Sequence, residues 1–346
     1  MSHLLPTSDS RVALLRKWLQ AELGPGDFTL EKASEDASFR RYFRISGQGR
    51  TWIAMDAPPD KEDSEPFLRV ATMLRKASVH APDCYAQDLE RGFLLLEDLG
   101  TLTYLDELRR DPGLADTLYR DALYSLALMQ SNLVVEAQTL PPYDQELLDR
   151  EMALFTDWLL ERHLGLGPES GIWRAATEAF AWIREQVLTQ PRVFVHRDYH
   201  SRNLMRCDAH NPGVLDFQDS VCGPVTYDLV SLLRDCYISW PEQRVRAWAL
   251  EFRDRVGKLG LQVGSSEEQF LSWFDLMGLQ RHLKASGIFA RLWYRDGKPV
   301  YMADIPRTLS YIRVIAPRFR PLRKFAKLLE SDVLSLGDEQ ISRTGH

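Results

Sequence analysis

Three residues in the middle of the chain carry side chains that could do chemistry together: Asp198, Asn203 and Asp216. The first two lie in His196-Arg197-Asp198-Tyr199-His200-Ser201-Arg202-Asn203, which has the spacing H-R-D-x-x-x-x-N. Asp216 opens Asp216-Phe217-Gln218, thirteen residues after Asn203. An aspartate can accept the proton of an attacking hydroxyl, while an amide oxygen and a second carboxylate can hold magnesium ions that bridge nucleotide phosphates. Taken singly, Asp216 could cap a strand end and Asn203 could sit in an ordinary turn. In register they point to one phosphotransferase site, with Asp198 as base and Asn203 and Asp216 as metal ligands. His196 and His200 are four apart, but the β-type residues before them and Asp198 between them argue for a loop, not a zinc-binding helix face. His196 is expected to be structural, its ring hydrogen-bonded to backbone behind the loop.

The flanking residues say how such a site is held. Val193-Phe194-Val195 is a short apolar strand, and Leu204-Met205-Arg206 with Gly213-Val214-Leu215 predicts a tight hairpin beneath the site. Upstream, Val12, Leu15, Leu19 and Leu23 recur at helical spacing over residues 8–23, with Ser8 or Asp9 as N-cap. The period then becomes that of strands at 28–32, 39–46 and 51–55, followed by a helix over 64–78 and strands at 84–88 and 93–96. Beyond Gly100 the pattern is helical at 113–137, 144–165, 170–189, 226–260, 266–289 and 301–333, and the residues after about 335 read as a frayed polar end. The organisation expected is α+β. A small antiparallel-sheet lobe with one helix spans residues 1–100, and a larger, mainly helical lobe spans 101–346. The loop 196–203 and the metal-binding segment 215–219 fall in the second lobe, and the linker between the lobes is 96–100.

Composition narrows the compartment and the partners. The chain has 346 residues, 45% of them hydrophobic and 27% charged, with a net charge of −6, so it offers no basic footprint for nucleic acid. Ser8, Asp9, Arg11, Arg16 and Lys17 interrupt the first twenty residues, no apolar run reaches membrane-spanning length, and the four cysteines show no metal spacing. A cytoplasmic protein with reduced thiols is the expectation.

These residues resemble a known group. The chain is similar, over nearly its whole length, to the aminoglycoside phosphotransferase branch of the bilobal protein-kinase-like fold. Asp36-Ala37-Ser38-Phe39-Arg40-Arg41-Tyr42-Phe43-Arg44, Met55-Asp56-Ala57-Pro58-Pro59, Gly92-Phe93-Leu94-Leu95-Leu96-Glu97-Asp98-Leu99-Gly100 and Gln280-Arg281-His282-Leu283-Lys284 look like the bacterial anomeric sugar kinases. The resemblance implies ATP and Mg2+ as cofactors and a sugar acceptor, N-acetylmuramate or N-acetylglucosamine. The product would be the C1 phosphate used in peptidoglycan recycling, linked to a downstream nucleotidyltransferase through that product only. It implies that Asp228 braces the catalytic loop, and that the extended backbone at Glu97 and Leu99 meets adenine.

Departures from the pattern matter as well. No G-x-G-x-x-G precedes the second strand, and Ile53-Ala54-Met55-Asp56 places a carboxylate where the family's strand lysine is expected. Another cation must then face the phosphates, with Arg40, Arg41, Arg44 and Lys61 as candidates; alternation sends Arg40 and Arg41 to opposite faces, so one at most reaches the nucleotide. Arg281, His282 and Lys284, followed by Arg291, Trp293, Tyr294 and Arg295, suit a neutral or anionic sugar better than a polycation, and His200, Arg202, Arg281 and Lys284 are the candidate sugar contacts. Two other readings stay open: a kinase of another small acceptor such as an aminoglycoside or amino alcohol, and a nucleotide-binding pseudokinase.

Overall fold

The computed structural model describes residues 10–35 and 39–344. The candidate caps Ser8 and Asp9, and Asp36-Ala37-Ser38 of the loop motif, lie outside the described residues.

The amino-terminal lobe begins with α1 (Ser10–Leu23), β1 (Phe28–Glu35), β2 (Arg41–Gly47) and β3 (Arg50–Asp56). After α2 (Glu65–Lys76) come β4 (Cys84–Asp88) and β5 (Phe93–Glu97), and the five strands form one antiparallel sheet in the order β1-β2-β3-β5-β4. Alternation makes both faces of this sheet apolar. Phe43, Ile45, Ala54, Phe93 and Leu95 pack on Leu15, Trp18 and Leu19 of α1. Met55, Leu94 and Leu96 turn the other way, against Phe67, Val70 and Leu74 of α2 and the core of the larger lobe. Two buried faces need two covers, and these are α1 and α2, at the places where helical spacing was read over 8–23 and 64–78.

The larger lobe opens with α3 (Tyr104–Arg110), started by a reciprocal cap between Thr103 and Asp106, and continues through α4 (Ala115–Asn132), α5 (Gln145–Leu154) and α6 (Gly171–Val187). Helix α5 runs on as a π-helical stretch, Phe155–His163. Strand β6 (Arg192–Val195) pairs with β9 (Val221–Pro224), and between them β7 (Leu204–Met205) and β8 (Gly213–Val214) form the expected hairpin. Next come α7 (Tyr227–Leu233), α8 (Glu242–Lys258), α9 (Glu267–Asp296), α10 (Ile305–Ile315) and α11 (Arg323–Leu328). The predicted helix over 226–260 is therefore two, broken ahead of Pro241, and the one over 301–333 is interrupted near Pro317 and Pro321, as proline's missing N–H requires. Helix α9 outruns its predicted end and stops at Gly297, which adopts φ 64° in the left-handed region. Gly287 in α9 lies so close to α5 that a Cβ would stand 2.2 Å from the Leu154 carbonyl. That approach brings Lys284 of α9 against Glu151 of α5. Among the described residues no helix is long and apolar enough to cross a membrane.

Candidate active site

The loop from His196 to Asn203 is held open from below by carboxylates. Asp228, fully buried at the start of α7, accepts from the amides of His196 (2.7 Å) and Arg197 (3.0 Å). Arg197 takes φ 80°, a conformation that costs an ordinary residue free energy, and three contacts fix it there. Those are the Asp228 bond, a 2.6 Å pair from its Nη2 to Glu151, and a 2.7 Å bond from Arg281 Nη1 to its carbonyl. His196 Nδ1 accepts the amide of Asp198 (3.2 Å), and burial pushes this imidazole down to about 4, so it is the neutral acceptor that the geometry requires. A second carboxylate, Asp235, does for the far half what Asp228 does for the near half. It accepts from the Ser201 amide (3.0 Å), the Ser201 hydroxyl and the Tyr237 amide (2.9 Å).

Asn203 ties the three chemical residues together. Its Nδ2 donates to the Asp198 carbonyl (3.0 Å) and to Asp216 Oδ2 (3.2 Å), while its own carbonyl accepts from Leu215 (2.9 Å). With the amide nitrogen so engaged, Oδ1 is the atom left to ligate. Asp216, at φ 64°, presents its carboxylate beside it, with Gln218 Nε2 on Oδ1 at 2.9 Å. One amide oxygen and one carboxylate are hard donors of the kind magnesium shares with phosphates and water, so this pair fits that ion. The Asp198 carboxyl is raised by burial, but Lys284, His200, Arg281 and Arg197 outweigh this and hold it at about 2. It is ionised throughout the physiological range.

The linker 96–100 packs against the β7–β8 hairpin. Leu99 packs with Met205, Cys207 and Leu215, which makes an apolar floor under the hinge from the β7–β8 hairpin. The Glu97 side chain turns away to His80 Nε2 (3.1 Å) and the Asp83 amide (3.2 Å), so its contribution to a base can only come from backbone. Arg44 is bound to Asp98 at 2.7 Å and to the Gly100 carbonyl at 2.7 Å, bracing the hinge against the sheet.

The structure corrects the reading of Asp56. The fully buried carboxylate lies on the α1 face of the sheet, between Arg11 Nε (2.9 Å) and Arg41 Nε (3.0 Å). The residue that faces α2 and the larger lobe is Met55. Arg41 shares the far face with Asp56 and Phe43, and so is a structural partner of Asp56 and not a nucleotide contact. The reason is strand alternation, which sends Arg40 the other way. Arg40 Nη2 pairs with Glu62 at 3.0 Å, just ahead of α2, and Glu62 also accepts the Phe39 amide (3.0 Å). Lys61 is half-exposed, near Asp60 and the Phe39 ring.

On the acceptor side, Asp198 opens on a cavity of ≈ 100 Å³ that His200, Arg281 and Lys284 also line. Asp198 is its only acidic lining residue. The basic residues there are mostly committed elsewhere. Lys284 pairs with buried Glu151 at 2.8 Å and donates to Tyr227 Oη at 3.0 Å, while Arg281 holds the Arg197 carbonyl over the Tyr227 ring. Arg202 is outside this lining and sits over the rings of Tyr237 (4.7 Å) and Tyr301 (5.5 Å). Tyr294 is ten residues beyond Lys284, about 15 Å along a helix, and lies against His163 at 3.1 Å instead of in the cavity.

Sequence reasoning missed Glu151, Asp235 and the floor residues Met205 and Leu215. Glu151 left no signal, being one polar residue in an amphipathic helix, and Asp235 is separated by 32 residues or more from everything it braces except Tyr237. Met205 and Leu215 were visible only as strand residues of the hairpin.

Comparisons with known proteins agree with this geometry. Residues 29–262 match the model of a family described as "phosphotransferase enzyme family". A protein of Pseudomonas aeruginosa named N-acetylmuramate/N-acetylglucosamine kinase is 46% identical over 340 residues, covering 94% of this chain and 98% of that one. One of the same name from Neisseria meningitidis is 39% identical, with 94% and 96% covered. Among solved structures, a choline kinase from Streptococcus pneumoniae superposes with a TM-score of 0.62 at 10% identity, covering 88% of this chain and all of that one (100%). An ADP-bound aminoglycoside phosphotransferase gives 0.57 at 13% identity, with 86% and 97% covered. At such low identity these two bear on the fold alone, which is the protein-kinase-like one.

Proposed function

The chain belongs to the phosphotransferase enzyme family, and from that premise we propose that it is an ATP- and magnesium-dependent kinase of N-acetylmuramate and N-acetylglucosamine acting at the anomeric C1 hydroxyl. The names of its relatives supply the acceptor class. The observation that carries the reading is the cavity on which Asp198 opens: its one acid is the base, and it holds no row of carboxylates for a polycation. An aminoglycoside would meet Arg281 and Lys284 with no anionic partner to spare.

In the mechanism this supports, the acceptor hydroxyl donates to the Asp198 carboxylate. At about 2, that carboxylate is a weak base at equilibrium. It is sufficient when the phosphoryl leaves early and the proton moves late, as in a loose transition state, and a hemiacetal hydroxyl is more acidic than an ordinary alcohol. Asn203 Oδ1 and Asp216 would hold magnesium, which supplies neutralisation of phosphate charge. The adenine would lie over Met205 and Leu215 with the backbone of Glu97 and Leu99 at its edge. Arg40, fixed by Glu62, is the cation proposed to face the phosphates, with the half-exposed Lys61 beside it. The reaction belongs in the cytoplasm, where ATP is made, and its α-1-phosphate product suits a nucleotidyltransferase of peptidoglycan recycling.

The test is magnesium-dependent ATP consumption with N-acetylmuramate, N-acetylglucosamine, glucose, kanamycin, choline or no acceptor, with products read by phosphorus NMR. Turnover on the acetamido sugars with a glycosyl-phosphate signal is expected. Turnover on kanamycin or choline alone would replace the acceptor, and ATP binding without turnover would make the chain a nucleotide sensor.

A further inference from the structure

The cavity beside Asp198 contains polar groups that the chain itself does not satisfy. Ser231 and Arg234, both 2% exposed, line it, as does His200. Ser231 Oγ, Arg234 Nε and Nη1, and His200 Nδ1 are buried and have no hydrogen-bond partner among the described residues. Each such orphan is costly unless a ligand or water meets it. Part of the lining is apolar, formed by Ala285, Ile288 and Phe289 of α9. A volume of ≈ 100 Å³ holds about three waters or one small acyl group.

Charge decides between a neutral and an anionic occupant. The Arg234 guanidinium is already neutralised, its Nη2 lying 2.7 Å from Asp275 and 2.9 Å from Glu242. Lys284 is balanced by Glu151, and burial holds His200 below its usual range, so its ring is neutral. Arg281 also lines the cavity, with its Nη1 on the Arg197 carbonyl, and Asp198 is the carboxylate that offsets it, so the cavity offers donors with little net charge, together with a surface for a methyl group. A carbonyl oxygen attached to a methyl has that character and a carboxylate does not. In a 2-acylamino sugar the acyl group is on the carbon next to C1, so a C1 hydroxyl on Asp198 places the acyl group within this cavity's reach.

We infer that the cavity formed by His200, Ser231 and Arg234 with Ala285, Ile288 and Phe289 is the subsite that recognises the 2-N-acetyl group of the acceptor. This rests on the amino-sugar reading above and assigns that reading's specificity to α7 and α9. The lactyl group, which distinguishes the two proposed substrates, lies outside it.

The test uses the full chain and compares kcat/KM for N-acetylglucosamine, its N-propionyl and N-butyryl analogues, glucose and N-acetylmuramate. In the unaltered enzyme, each added methylene is expected to lower kcat/KM by about 10- to 200-fold, the worth of one misfitted methylene in a closed pocket. Ala285→Leu, which fills the apolar wall, should cut the preference for N-acetylglucosamine over glucose by about tenfold or more and lower both acetamido sugars together. Ser231→Ala, a smaller change, should reduce the same preference several-fold, and thermal melts establish that each variant is folded. Equal rates along the acyl series, or an unchanged N-acetylglucosamine-to-glucose ratio in the folded variants, would overturn the subsite while leaving the kinase reading intact. A loss confined to N-acetylmuramate would assign the cavity to the lactyl group instead. If the unaltered chain phosphorylated no amino sugar, both the functional reading and the subsite would fall.

Discussion

Lys284 is the residue on which the sequence and the structure differ most usefully, and Lys284→Met tests the difference. The sequence suggested a cation for a sugar carboxylate; the structure pairs it with Glu151 at 2.8 Å, and both side chains are at most 10% exposed. Removing one partner of a buried pair costs about 3–5 kcal/mol, because the remaining charge is left uncompensated. Here Arg197 at 2.6 Å, Tyr143 Oη at 2.5 Å and Gln280 Nε2 at 3.0 Å stay on Glu151, so a loss at or below the bottom of that range, about 2–3 kcal/mol, is expected. At about 2 °C per kcal/mol for a chain of this size, the melting temperature should fall by about 4–6 °C.

Two further readouts separate this role from carboxylate binding. Glu151 is raised by burial, but Lys284 and Arg197 bring it down to about 2, below its unfolded value near 4.3. A depressed carboxylate contributes stability that is full above its unfolded pKa and is lost as pH falls through the folded value. The gap in melting temperature between wild type and Lys284→Met should therefore be widest above pH 5 and narrow between about 4.3 and 2. Adding Glu151→Gln to Lys284→Met should not recover the loss, since Arg197, whose Nη2 lies 2.6 Å from Glu151, is then left without its carboxylate. The reasoning is refuted if Lys284→Met melts with the wild type while raising KM for N-acetylmuramate but not for N-acetylglucosamine.

Three other outcomes follow from the site. Asp198→Asn should leave ATP affinity close to wild type in calorimetry and lower kcat by about 10²-fold or more, the worth of general base catalysis; a near wild-type kcat would remove Asp198 from that role. Arg40→Ala should raise KM for ATP, whereas Arg41→Ala should lower the melting temperature by stranding buried Asp56 with Arg11 alone; the reverse pattern would return Arg41 to the nucleotide. With N-acetylglucosamine, which does not titrate, kcat/KM should show no acidic limb from Asp198 between pH 4 and 6, because Asp198 is held at about 2, while a limb near 7 belongs to Asp228, pushed up to about 7 by burial; a limb centred near pH 5 would contradict the Asp198 assignment.

What was legible in the sequence depended on how local its cause was. Asp198, Asn203 and Asp216 stood out because a loop and a hairpin fix their relative positions within twenty residues, and the hairpin appears at the predicted place. The apolar stripe of α2, Phe67, Val70, Ala71 and Leu74, was readable for the same reason. The supports of the loop were not. Glu151 reaches Arg197 across 46 positions and Lys284 across more than a hundred, and no periodicity records such a pairing. Burial changed the meaning of the basic residues on α9, which look like a solvent or substrate face in the sequence and act as counter-ions inside. Helix breaks at Pro241, Pro317 and Pro321 were readable in principle and were passed over in favour of the longer period.

Asp56 bears on whether the chain catalyses at all. A carboxylate in place of a phosphate-binding lysine would repel the nucleotide, and that alone made a pseudokinase conceivable. Register removes the premise. Asp56 pairs with Arg41 on β2 and Phe93 on β5, and its side chain shares a face with Ala54 and Phe93, against α1. A strand cannot present adjacent residues to the same side, so with Met55 facing α2, Asp56 is directed away from the nucleotide. What the cleft side lacks is a lysine, not a tolerance for phosphate. The nearest cation held by a carboxylate ahead of α2 is Arg40, paired with Glu62. A guanidinium can hold that carboxylate with one edge and present another edge to an anion, which a single ammonium does less well. Moving the cation from the strand to the preceding loop also couples it to Phe39, whose amide Glu62 accepts. An anion met by Arg40 would then be coupled through Glu62 to the Phe39 backbone.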